Sequence, residues 1–107
     1  MNKAILLGYV GKDPKIRMVD SSTVAEFSLA TSERRPARGT GEAAEITEWH
    51  NIVMWGPAAE FAEKYIRKGS RLLVEGKIRT RYWEDHNAIK RTVTEIYVDS
   101  FELLPKG

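Results

Sequence analysis

One amphipathic helix interrupts a chain whose other segments carry the patterns of strands, and this order restricts the fold. Apolar residues recur at the spacing of one helical face, at Ala58, Phe61, Ala62, Tyr65 and Ile66. Pro57 suits the first turn of a helix because its missing N–H needs no partner there, and Gly69 suits the residue that ends one. The spacing therefore predicts a helix that begins at Pro57 and is capped by Gly69.

The segments around this helix alternate or are rich in β-branched residues, and turn signals such as Gly11-Lys12-Asp13-Pro14 separate them. We expect strands at 2–10, 15–19, 23–31, 47–55, 72–83 and 90–103. Short antiparallel strands, with one helix between the third and fourth barrel strands, favour an all-β, five-stranded OB-fold barrel. An SH3-like barrel would usually lack such a helix. We assign residues 1–104 to this domain and 105–107 to a short tail.

Composition excludes several classes of protein. A chain of 107 residues with 42% hydrophobic and 30% charged residues suits one small, soluble domain. Cysteine is absent from the sequence, which excludes disulfides and thiolate metal sites. The apolar runs are too short for a signal peptide or a membrane span, so we expect a cytoplasmic protein. Because no catalytic or phosphate-cradling motif is recognisable, we expect neither an enzyme nor a cofactor or metal site.

Aromatic and basic side chains share faces of two expected strands. Side chains alternate along a strand, so one face of the first carries Trp49, Asn51, Val53 and Trp55, opposite the core candidates Ile52 and Met54. One face of the second carries Lys77, Arg79, Arg81 and Trp83, opposite the core candidates Leu72, Val74, Ile78 and Tyr82. Two alternatives stay open: burial of Trp55 against the helix, and an ordinary solvated face for the cations.

Indole rings beside guanidinium and ammonium groups suit a polymer that carries flat bases on a charged backbone. That polymer is single-stranded nucleic acid, bound by base stacking and phosphate neutralisation. The formal net charge is only +2, so this inference depends on where the cations lie and not on their number.

Residues 32–45 have no apolar periodicity and contain one proline and two glycines, which predicts a long mobile loop or hairpin arm. The basic residues of this arm are Arg34, Arg35 and Arg38. A segment of this kind is either functional or a dispensable connector, and its composition leaves both open.

Two further features indicate self-association. The run Ile5-Leu6-Leu7 is more apolar than one small barrel needs, and an uncovered edge of this kind invites pairing with a second copy. His50 alternates onto the side of Ile52 and Met54, which places it in the core or at a subunit interface.

Six segments occur in an order that resembles the bacterial single-stranded DNA-binding protein family: residues 2–8, 11–14, 30–33, 47–50, 65–70 and 74–83. The resemblance implies an OB barrel that assembles as a homotetramer, a dimer of dimers, with single-stranded DNA wrapped around it. It implies a role in replication, recombination and repair, near the nucleoid. It also implies base stacking on Trp49, Trp55 and Trp83, and a subunit contact at His50. The positions that match backbone contacts are Lys3, Asn51, Lys68, Arg79 and Arg81.

The chain departs from the family in two places. Where the family often has a further stacking tryptophan, this chain reads Arg34-Arg35-Pro36, which predicts an arm that contacts phosphates. The family also continues into a flexible linker and an acidic tip that recruits other enzymes, whereas this chain stops at Gly107. It is then a piece of a longer protein or a tail-less paralogue, and partners recruited by a tail are not expected.

Two other functions are compatible with a small OB barrel. One is a replication-restart adaptor resembling primosomal protein B, which the three tryptophans disfavour. The other is an RNA-binding or tRNA-binding module attached to an enzyme, which the missing second domain disfavours.

Overall fold

The computed structural model describes residues 1–37, 39 and 41–105. In this part of the chain the elements are β1 (Ala4–Val10), β2 (Lys15–Val19), β3 (Ser22–Arg35), β4 (Ala44–Trp55), α1 (Pro57–Tyr65), β5 (Arg71–Glu84) and β6 (Lys90–Leu104). The expected order of strands, arm, helix and final strand pair is confirmed. The expected loop at 32–45 is shorter, because both of its ends continue the neighbouring strands.

Strand pairing closes five of the strands into a ring. β1 pairs antiparallel with β5, β5 antiparallel with β6, β6 parallel with β4, and β4 antiparallel with β3. The ring closes where Tyr9 and Val10 of β1 pair with Ala30 and Leu29 of β3. β2 pairs with the first half of β3. Since α1 follows the third strand of the ring, the expected five-stranded arrangement is confirmed.

The core lies inside the ring, where every second strand residue points inward. The largest fully buried side chains of this core are Leu29, Ile52, Met54, Ile66, Leu72 and Val74. Ala59 and Ala62 are the buried residues of α1, which contacts β3 and β4. The helix therefore closes one side of the core with these two alanines, and Phe61 packs against the core beside them.

The expected apolar stripe of the helix is partly wrong. Tyr65 is 58% exposed, although its ring lies 4.8 Å from that of Phe61, and Ala59 takes the buried position instead. The buried positions Ala59, Ala62 and Ile66 are spaced i, i+3, i+7, and the Ile66 N–H still donates to the Ala62 carbonyl. Ile66 therefore keeps its predicted place in the core.

Gly69 is also not the helix cap that its position predicted. The Arg67 guanidinium donates to the carbonyls of Glu63 and Ile66, at 2.8 and 2.7 Å, and so satisfies the end of α1. Gly69 lies in the following turn with a φ of 88°, a value that favours glycine. Its N–H donates to the carbonyl of Val10 at 2.8 Å, which ties this turn to β1.

Two strand pairs extend beyond the ring as hairpins. In the arm, residues 31–35 of β3 pair with residues 44–48 of β4. In the second hairpin, residues 77–84 of β5 continue past the last pair with β1 and pair with residues 90–97 of β6, and we call this segment the outer hairpin. Its residues 95–97 also pair with β4 and remain part of the ring.

The expected core positions Ile78 and Tyr82 lie in the outer hairpin and are 45% and 80% exposed. Their assignment to the core was wrong, because β1 stops pairing with β5 at Gly76 and the inward face is no longer covered beyond it. The side-chain amide of Asn2 continues the ladder by one step, since it donates to the Ile78 carbonyl and accepts from the Ile78 N–H.

Candidate nucleic-acid interface

Strand register places side chains of four neighbouring strands on one outward surface. Residues paired across strands project to the same side of a sheet. One row crosses β3, β4, β6 and β5 as Ser28, Asn51, Glu95 and Arg79, and the next as Glu26, Val53, Tyr97 and Lys77. These two rows, with Arg81 and the three tryptophans, are called the binding face below.

All three tryptophans have open rings. Trp49 is 60% exposed, Trp55 is 42% exposed and Trp83 is 49% exposed. Trp49 lies at the root of the arm, Trp55 at the end of β4 and Trp83 in the outer hairpin. The structure thus agrees with the exposed interpretation of Trp55 and not with its burial against the helix. Each ring has area free for a planar group to stack upon.

The indole of Trp49 rests on a glycine. A Cβ atom added at Gly11 would lie 2.5 Å from Cζ3 of Trp49 and 3.0 Å from Oγ of Ser28. Real Cβ atoms do not approach that closely, so the ring occupies space that any other residue at position 11 would fill. Gly11 itself is held by its N–H, which donates to the Ser28 carbonyl at 3.0 Å. This contact fixes the position of the indole against the barrel.

The cations of the basic row have different surroundings. Arg81 makes a forked pair with Glu95: Nε donates to Oε1 at 2.7 Å and Nη2 to Oε2 at 3.2 Å. Glu95 is only 4% exposed, whereas about half of the Arg81 side chain is open to solvent. The hydrogen bonds and charge of Glu95 raise the pKa of Arg81 further, so the guanidinium is permanently charged.

Arg79 and Lys77 are exposed and, among the described residues, neither forms a salt bridge. The Arg79 guanidinium carbon lies 5.5 Å from the centre of the Tyr97 ring, a cation–π arrangement. These two side chains therefore retain positive charge that a phosphate can neutralise.

A groove of about 420 Å³ lies in the binding face between β2, β3 and the outer hairpin. Its polar lining residues are Lys15, Glu26, Ser28, Asn51, Arg81 and Glu95. Arg17 donates to Glu26 through Nε at 2.6 Å. Asn51 donates through Nδ2 to the Thr94 carbonyl at 3.2 Å, which bridges β4 and β6 and orients its amide.

The other two predicted backbone-contact residues lie outside the two rows. Lys3 is paired with Glu75, whose hydrogen bond and charge raise the pKa of the ammonium group. Lys68 is exposed in the turn after α1, where its backbone N–H donates to Oδ1 of Asp13 at 2.8 Å. The structure does not bring either residue into contact with the rows.

The arm presents its arginines on opposite sides. Arg34 pairs with Glu45 in register and, by alternation, shares the face of the arm that carries Trp49. Arg35 pairs with Ala44 and lies on the other face. Both are exposed, and Arg38 lies outside the described residues. Of these two arginines, Arg34 is the one aligned with the binding face.

The turn of the outer hairpin is organised by Asp85. Its Oδ1 accepts from the N–H groups of Asn87 and Ile89, and its Oδ2 accepts from Nε of Arg91 at 3.0 Å. Backbone donation from Ile89 is the main cause that lowers the pKa of Asp85, helped by Arg91 and Asn87. This fixed turn supports the hairpin that carries Trp83.

The residues expected at a subunit interface divide into two groups. Ile5 and Leu7 are 64% and 46% exposed, whereas Leu6, which was predicted at the interface with them, is partly buried and packs against the core. The alternation of β1 adds Tyr9, 48% exposed, to the exposed row. His50 is half-buried at the root of the arm, with Nε2 2.8 Å from Oγ1 of Thr31.

Sequence reasoning missed the residues that hold the aromatic and basic groups in place. Gly11 was interpreted only as part of a turn, and Glu95 and Tyr97 only as parts of the last strand. Glu95 did leave a signal, because it is the acidic member of an outward row with Val93 and Tyr97. Its pairing with Arg81 required the strand register.

The described residues contain no group of three or more metal-ligating side chains. Over the same ranges, no helix has the length and apolar character needed to cross a membrane.

Comparisons with known proteins agree with this geometry. A family model described as "Single-strand binding protein family" matches residues 1–104. A single-stranded DNA-binding protein of Bacteroides thetaiotaomicron is 48% identical over 110 residues, covering 100% of this chain and 68% of that protein. A solved structure described as a Plasmodium falciparum SSB complex with ssDNA has a TM-score of 0.90 and 36% identity, covering 98% of this chain and 96% of that chain.

Proposed function

Because the chain belongs to the single-strand binding protein family, we propose that it binds single-stranded DNA with little sequence preference. Bases stack on Trp49, Trp55 and Trp83, and phosphates are neutralised by Lys77 and Arg79. Every base has a flat face, so stacking tolerates any sequence. The chain acts as a binding protein and not as an enzyme.

One observation carries this proposal: three exposed indoles share an outward surface with cations that form no salt bridge within the described residues. A tryptophan of the core would be buried. An ordinary solvated charged face would not carry three indole rings that are about half exposed. The solved structure at a TM-score of 0.90 is described as a complex with ssDNA, which supports the same ligand here. The adaptor and RNA-module alternatives have no comparable support.

We also propose the setting of this activity. The protein covers single strands during replication, recombination and repair, in the cytoplasm and at the nucleoid. It assembles as a homotetramer, a dimer of dimers, through the exposed row on β1, with His50 at a subunit contact. The open apolar side chains of Ile5, Leu7 and Tyr9 support this assembly.

Stacking is tested by fluorescence and by substitution. Thymidine oligomers should quench the tryptophan emission of the wild-type protein. Trp49→Ala and Trp83→Ala should each weaken binding by on the order of 1–3 kcal/mol, because each change removes one stacking ring. Both rings are about half exposed or more, so the melting temperature should change little.

Tyr82→Ala is the matched control. This ring is 80% exposed and adjacent to Trp83, but it projects from the opposite face of the outer hairpin. Its removal should leave the affinity unchanged. If the tryptophan variants keep full affinity and melt at lower temperature, the rings support the fold and the proposal is wrong.

A further inference from the structure

The groove in the binding face is electrically balanced. Its charged lining residues are two cations, Lys15 and Arg81, and two carboxylates, Glu26 and Glu95. The carboxylates are well covered, with side-chain exposures of 27% and 5%. Each accepts a hydrogen bond from an arginine, Arg17 at 2.6 Å and Arg81 at 2.7 Å. This is a different environment from that of Lys77 and Arg79.

A phosphate that enters this groove gains little from Arg81. It would approach Arg81 and Glu95 together, and the attraction to one is offset by the repulsion from the other. Two of the five N–H donors of Arg81, one on Nε and one on Nη2, are already used by Glu95. A buried carboxylate in a site of low dielectric repels an anion more strongly than an exposed one does.

The Arg81 side chain is only partly covered. The side chain is 49% exposed, and its two hydrogen bonds to Glu95 hold the plane in one orientation. Arginine planes stack on bases, and a plane that is already fixed loses little further freedom when a base arrives. Resting on the proposed function, we infer that Glu95 withdraws Arg81 from phosphate binding and positions its guanidinium as a surface on which a base stacks.

The test uses Glu95→Gln and the double variant Arg81→Gln/Glu95→Gln, which removes both charges of this ion pair together. Each is titrated over a range of sodium chloride with oligo-dT and with an abasic oligomer of equal length. The double variant should bind oligo-dT about two- to five-fold more weakly, as expected for the loss of one exposed cation–π contact. With the abasic oligomer its affinity and salt slope should equal those of wild type.

Glu95→Gln provides an independent readout. Removal of the carboxylate frees the charge of Arg81, so the slope of log affinity against log salt should steepen by up to about 0.7, the contribution of one phosphate on a single strand. An unchanged slope in this variant would overturn the inference. So would a double variant whose slope flattens by about 0.7 with both oligomers, because Arg81 would then be a phosphate ligand.

Arg79→Gln separates this inference from the proposed function. Since Arg79 forms no salt bridge among the described residues, its loss should flatten the slope by about 0.7 with both oligomers. A wild-type protein that binds neither oligomer would refute the proposed function itself. Circular dichroism confirms that every variant is folded before it is titrated.

Discussion

At the scale of single residues, the side chains of the binding face depend on neighbours that are distant in sequence. Trp49 rests on Gly11, and Arg81 is held by Glu95. Strand alternation was enough to predict that the tryptophans face outward, because it needs only the local period of two. It was not enough to find Gly11 or Glu95, because their roles arise from strand register.

Gly11→Ala tests the support of Trp49. The added Cβ would lie 2.5 Å from the indole, so the ring must move. We expect weaker binding of oligo-dT. The loss should not exceed the cost of removing one stacking ring, which is on the order of 1–3 kcal/mol. Fluorescence anisotropy of a labelled oligo-dT measures this change. The same substitution in a Trp49→Ala background should have little further effect, and an equal loss in both backgrounds would show that Gly11 acts through the backbone.

At the scale of elements, local pattern predicted the helix start, the strand order and the five-stranded ring. It failed where an element ends or leaves the ring. Tyr65, the last residue of α1, was assigned to the apolar stripe but is exposed, whereas Ile66 of the same stripe is buried as predicted. Ile78 and Tyr82 were assigned to an inward face that loses its cover beyond Gly76. Alternation along a strand predicts which side a residue faces. Whether that side is buried depends on which neighbouring strands pair with it and cover it.

The two faces of the arm give a prediction at the scale of an element. Arg34 lies on the Trp49 face of the arm and Arg35 on the opposite face. Arg34→Ala should therefore flatten the salt slope of oligo-dT binding by about 0.7, whereas Arg35→Ala should leave it nearly unchanged. Tryptophan quenching should persist in both variants. Equal slopes for the two variants and wild type would mean that the arm is a solvated connector.

At the scale of the whole molecule, β1 has an unfinished edge. Residues 4–9 pair with β5 on one side, while on the other side the described pairs are those of Tyr9 and Val10 with β3. The same strand presents Ile5, Leu7 and Tyr9 outward. An open strand edge with an apolar face is a surface that a second copy can complete.

Leu7→Lys should break this assembly, because a charge buried without a partner opposes association. Light scattering with gel filtration should give about four chain masses for wild type and a smaller species for Leu7→Lys. Met18→Lys is the matched control, since Met18 is an exposed apolar residue of β2, 64% open. A wild-type protein that stays monomeric at micromolar concentration would contradict the tetramer.

The pairing of β1 with β5 also has a consequence for synthesis on the ribosome. Ala4 finds its partner at Gly76, and Tyr9 at Arg71. β1 is the first strand to be synthesised, but its pairing with β5 can form only after about two thirds of the chain has emerged. During this interval the apolar β1 segment has no sheet to join, and such transiently exposed segments are the ones that aggregate or recruit chaperones. Fast release of the nascent chain and early capture of β1 by β5 both shorten that exposure.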